Sequence, residues 1–113
     1  RLSPLTRWTM QIVETPVFTR RVTEILTDEE YRGLQSALLV RPDAGNLIVG
    51  TGGARKIRWA LDGRGKSGGV RVIYFWAATR EIILMLLVYP KNEQDTLTDV
   101  QKKLLRKVVE SMS

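Results

Sequence analysis

At 113 residues, with 43% apolar and 27% charged side chains, the chain has the size and balance of one globular domain rather than of a disordered segment. Lys and Arg number 18 against 12 Asp and Glu, a net charge of +6, which suits a nucleic acid, an anionic surface or an acidic partner. Cysteine and histidine are both absent, which excludes disulfides, iron–sulfur clusters, thiolate zinc sites, imidazole acid–base catalysis and the commonest metal ligand.

Residues 1–10 are polar, include Pro4 and Trp8, and read as a loosely ordered N-terminal extension to a single domain over 11–113. They lack the apolar core of a signal peptide, and the longest apolar run, Ile82 to Val88, is of strand length, so a cytoplasmic protein with no membrane association is expected. Gln11 to Glu14 predicts a short strand. Thr15-Pro16 reads as a helix N-cap followed by proline in the first turn, with Phe18, Val22, Ile25 and Leu26 at helical spacing. Thr27 and Glu30 form a capping box, and Tyr31, Leu34, Leu38 and Leu39 the apolar stripe of a second helix. Pro42 to Gly45 stops it, and 47–49 is a short strand or loop closed by Gly50, Gly52 and Gly53.

Two basic strands come next, about 55–61 and 70–77, joined by a glycine loop. Alternation puts Lys56 and Arg58 on one face of the first strand, with Arg55, Ile57, Trp59 and Leu61 opposite. On the second, Arg71 shares a face with Ile73 and Phe75, with Val70, Val72, Tyr74 and Trp76 opposite. Paired, the strands gather Lys56, Arg58 and Arg71, and the loop adds Arg64 and Lys66. A turn at Thr79-Arg80 leads to a last strand over 81–89, whose continuous apolar run predicts cover on both faces and an inner position. Thr98 and Gln101 form a second capping box, opening a helix whose expected packing stripe is Val100, Leu104, Val108 and Met112. The expected fold is α+β: a small, mostly antiparallel twisted sheet, an N-terminal helical hairpin on one face, and a C-terminal helix near an edge, leaving the other face to the cations.

Residues 60–67 approach a phosphate-binding loop. Ala60 stands where glycine is needed, however, and a strand-like run comes after it where a helix should start. Trp59, Tyr74 and Trp76 suit the core beneath the helices, whereas Phe75 either stacks on a base or fills the sheet. Lys102, Lys103, Arg106 and Lys107 read as a solvated face of the last helix, and Asp28, Glu29 and Glu30 as first-turn acids. No carboxylate pair lies near the basic strands, so acid-pair glycosidase and two-metal nuclease chemistry both lack ligands.

Three runs together carry a resemblance: Gly-Thr-Gly-Gly-Ala-Arg-Lys-Ile-Arg-Trp (50–59), Gly-Lys-Ser-Gly-Gly-Val-Arg-Val-Ile-Tyr (65–74) and Leu-Val-Tyr-Pro-Lys-Asn-Glu (87–93). With the Leu-Thr-Asp-Val-Gln opening of the last helix (97–101), they resemble the RelE/HigB toxins of bacterial type II toxin–antitoxin pairs, over roughly 11–113. The resemblance implies a RelE-like fold and a ribosome-dependent mRNA endonuclease. Its partners would be mRNA in the ribosomal A site, 30S rRNA and a cognate antitoxin, often a helix-turn-helix repressor through which DNA is met only indirectly. It implies no cofactor and no metal. Carried over residue by residue, Lys56, Arg58, Lys66, Arg71 and Lys91 are the implied catalytic set. Arg55, Arg64, Phe75 and Tyr89 are candidates for RNA binding. The family tyrosine beyond the last basic position has no counterpart in 92–97, and Tyr89 is the nearest phenol.

RNA brings its own nucleophile, the 2′-hydroxyl. Cleavage needs a base, an acid for the departing 5′-oxygen, and cations on the transition state. The arginines stay charged, and Lys56 or Lys66, crowded by like charge, could serve as base or acid. Two other readings share the same basic face: a non-catalytic RNA- or rRNA-binding module, and a protein-interaction domain that docks an acidic partner.

Overall fold

Thr15, Thr27 and Thr98 each open a helix in this computed structural model, which describes residues 10–61 and 69–113. Each hydroxyl accepts from the backbone N–H three residues on, and Glu30 and Gln101 return the bond to complete two capping boxes. The helices are α1 (Pro16–Ile25), α2 (Asp28–Val40) and α3 (Asp99–Met112). The strands are β1 (Gln11–Glu14), β2 (Asn46–Leu47), β3 (Arg55–Trp59), β4 (Val70–Ala77) and β5 (Ile82–Pro90). They form one sheet in the order β1-β5-β4-β3-β2, antiparallel except where β1 runs parallel to β5. The fold is α+β, and β5 is an inner strand, as its apolar run requires. Among the described residues no helix is long and apolar enough to cross a membrane.

The sheet has a core on each face. On one, α1 and α2 bury Phe18, Val22, Ile25, Leu34 and Leu38 against Val70, Val72, Tyr74, Ile83, Met85 and Val88, with Met10 and Trp59 packed at the margin. On the other, α3 places Leu105 and Val109 over Ala54, Ile73, Leu84 and Leu86. This corrects the expectation of a helix at the edge: α3 covers much of the face assigned to the cations, because Ile73, Leu84 and Leu86 need apolar cover as much as the hairpin side does. The stripe expected on α3 is corrected too. Leu105 and Val109 go inward, while Val100 and Leu104 are 67% and 56% exposed.

A bulge divides β5. Ile73 pairs with Leu87 but the next residue, Tyr74, pairs with Met85, so Leu86 is an extra residue on β5. Its carbonyl accepts the Thr15 hydroxyl at 2.9 Å. The extra residue reverses the alternation: Ile83 and Met85 face the hairpin, and so does Val88, whereas Leu87 and Tyr89 face the other side.

β3 ends at Trp59, two residues short of expectation, and β2 covers 46–47 rather than 47–49. Arg64, Lys66 and the Gly-Lys-Ser sequence lie outside the described residues. The next element among the described residues is a strand, beginning at Val70, where a phosphate-binding loop requires a helix.

Candidate anion-binding cleft

β3 and β4 bring two arginines face to face. Arg58 is directly opposite Arg71 in the ladder, and Lys56 opposite Ile73, so Lys56, Arg58 and Arg71 share one side of the sheet as alternation predicts. On the other flank of β4, Arg71 is opposite Tyr89. Lys91 comes directly after β5 and is tied to the start of β4 by its N–H, which donates to the Gly69 carbonyl at 3.1 Å. Arg58, Arg71 and Lys91 thereby line one open cleft of about 280 Å³, together with Trp59, Ala60, Leu61 and Gly69.

Arg71 is its floor. Only 4% of it is exposed, and one Nη lies 3.4 Å from an Asp95 oxygen, while its buried Nε makes no hydrogen bond among the described residues. A buried guanidinium with one long, half-solvated ion pair is costly to keep. A second arginine directly across the ladder adds like-charge repulsion. Both costs fall when an anion enters between the two. The arrangement is suited to holding phosphate oxygens, with Arg71 fixed by burial, Arg58 exposed, and Lys91 supplying a third charge from the turn.

Tyr89 is the neighbour that simple alternation misplaces. Without the bulge it would share a face with Ile83 and Met85. With the bulge it stands beside Arg71, buried, its hydroxyl without a hydrogen-bond partner among the described residues. Burial pushes its phenol above the ordinary value of 10.0, the nearby Arg71 charge pulls it down, and Asp95 adds to the rise. At neutral pH it is a proton donor, poorly suited to act as a base.

The other candidates lie elsewhere. Lys56 is one pleat from Arg58, about 7 Å along the strand, and does not line the cleft. Phe75 is on the same face as Arg71 but about 13 Å away, where it packs into the α3 core against Gly53. Gly53 needs its glycine: its φ is +133°, and an added Cβ would meet the Phe75 ring at 3.2 Å. Arg55 is on the hairpin side, where its guanidinium donates to the carbonyls of Asp43 and Gly45 at 3.2 and 2.8 Å, bracing the turn after α2. Asp95, the ion-pair partner of Arg71, is the residue that sequence reasoning passed over. It sits in a polar linker with nothing to mark it, and only the return of the chain after β5 brings it to Arg71. Among the described residues no three carboxylates gather as a metal site needs. No protein-family model matches this sequence.

Proposed function

We propose that this chain is a cytoplasmic endoribonuclease of the RelE/HigB toxin kind, which cleaves mRNA in the ribosomal A site and is neutralised by a cognate antitoxin. The observation that carries the reading is the Arg58–Arg71 pair, two arginines directly opposed across a ladder with Lys91 beside them in one cleft. In this proposal the RNA 2′-hydroxyl attacks the adjacent phosphorus, the bond to the 5′-oxygen breaks, and that oxygen takes up a proton. Arg58 and Arg71 hold the non-bridging oxygens as negative charge builds on them. Lys91 sits on the same phosphate, and Tyr89 is placed beside Arg71 as a donor rather than an acceptor of the proton. The base falls to a lysine, Lys56 or Lys66, or to the ribosome-held RNA itself, since positioning alone removes much of the barrier.

The raised pKa of Tyr89 favours one rival, an RNA-binding module without chemistry, because it leaves the cleft short of a base. The two readings separate on the exposed residue Arg58, whose truncation spares the fold. Ribosomes programmed with mRNA are incubated with purified protein and the RNA 5′-ends mapped. Cleavage by the native chain, falling about a hundredfold or more in Arg58→Ala, is expected if the guanidinium stabilises the transition state. Absence of cleavage by the native chain, or an Arg58→Ala rate within a few-fold of it, overturns the nuclease proposal.

A further inference from the structure

α3 carries two adjacent apolar ladders, and the sheet uses one of them. Leu105 and Val109 are buried, whereas Val100, Leu104 and Val108, spaced four apart, are 67%, 56% and 37% exposed. They do not stand alone. Leu104, Leu105 and Val108 line a groove of about 240 Å³ whose far wall is Thr15 and Val17 and whose floor is Leu86 and Leu87. Val17, on α1, is exposed as well, as is Val13 on the neighbouring edge strand β1. Exposed apolar side chains that gather around a concavity mark an interaction site far more often than scattered ones do.

The rim is basic. Lys103 and Lys107 lie three residues beyond Val100 and Leu104 on α3, and Arg20 three beyond Val17 on α1, so each is a surface neighbour of the strip. All three are exposed, and none makes an ion pair among the described residues. Most acids of the surrounding elements are occupied, although Asp99, four residues before Lys103 on α3, makes no ion pair among the described residues. Glu24 and Glu93 hold Arg21, Glu110 holds Arg106, and Glu14 accepts from Tyr31 and Thr19 on the hairpin side. Asp99 belongs to the first turn of α3.

We propose that this α1–α3 groove docks an acidic amphipathic segment of a partner protein. From Val100 to Val108 the strip runs about 12 Å, enough for two turns of a helix laying apolar residues into the groove with carboxylates reaching Lys103, Lys107 and Arg20. A second copy of this chain is a poor occupant, because it brings a net charge of +6 and the same three cations. A lipid surface is a poor one too, since the floor at Leu86 and Leu87 is recessed between two helices. The groove shares no residue with the arginine cleft, and the inference does not rest on the nuclease reading.

The test uses the purified chain and two synthetic 18-residue amphipathic peptides with one apolar face, one peptide carrying glutamates and the other lysines on its polar face. Binding is read by fluorescence anisotropy at low salt, and thermal melts confirm that every variant is folded. The acidic peptide should bind and the basic one should not. Leu104→Ser combined with Val108→Ser should weaken binding about tenfold or more, and Lys103→Glu combined with Lys107→Glu should do the same while admitting the basic peptide. The proposal is overturned if neither peptide binds, or if both bind equally. It also fails if the strip variants instead abolish self-association in sedimentation, or abolish attachment to phosphatidylserine vesicles while peptide binding is absent.

Discussion

Tyr74 shows how a single side chain sets the base of the site. It is wholly buried beneath the hairpin, and its hydroxyl accepts from the Gly45 N–H at 2.8 Å and donates to the Pro42 carbonyl at 2.7 Å. It pins the turn that Arg55 braces from outside, and so fixes where β2 begins. Tyr74→Phe keeps the ring but strands both backbone groups, and should cost about 1–3 kcal/mol in urea unfolding. All three tyrosines of the chain have phenols pushed above the ordinary 10.0, chiefly by burial. A raised folded value means that the stabilising term is intact below the ordinary phenol range and is lost as pH rises through the elevated one. An ultraviolet titration should therefore show less tyrosinate at pH 10 than three free phenols would give, with the remaining ionisation displaced to higher pH. A separate, reversible transition near 10 would contradict the burial of Tyr89 beside Arg71.

At the scale of elements, the bulge in β5 matters more than any single strand residue. It turns Tyr89 to the face of Arg71, and it is held by the start of α1, where the Thr15 hydroxyl both caps the helix and donates to the Leu86 carbonyl. Thr27 caps α2 through an exposed hydroxyl that makes no such tie among the described residues. Thr15→Ala should thus destabilise by about 2 kcal/mol and Thr27→Ala by about 1, measured as denaturant midpoints at constant slope. Equal effects would mean that the sheet does not depend on the Thr15 bond. The two ladders of α3 are another matter of elements. Helical periodicity reads Val100-Leu104-Val108-Met112 as the packing stripe, whereas in the fold the neighbouring Leu105 and Val109 turn inward.

At the scale of the molecule, charge is separated by layers. The hairpin and its core close one face of the sheet, α3 closes most of the other, and the cations of β3, β4 and the turn after β5 meet in the part that α3 leaves open. Three cations on one strand of RNA predict that the logarithm of affinity falls against the logarithm of salt concentration with a slope near −2, about −0.7 for each phosphate met. Arg58→Ala should bring the slope closer to zero by about 0.7. A slope unchanged by that substitution would place the RNA elsewhere on the surface.

The amino-acid sequence by itself determined the helix starts, the α+β class, and the sharing of one face by Lys56, Arg58 and Arg71. Caps and strand alternation are local rules, set by residues two to four positions apart. Tertiary structure alone decided that Tyr89 joins Arg71, that Asp95 reaches it, that Phe75 belongs to the α3 core, and that Leu104 stays in solvent. Each of these depends on segments far apart in the chain competing to cover the same sheet. No local spacing records which of two apolar surfaces wins.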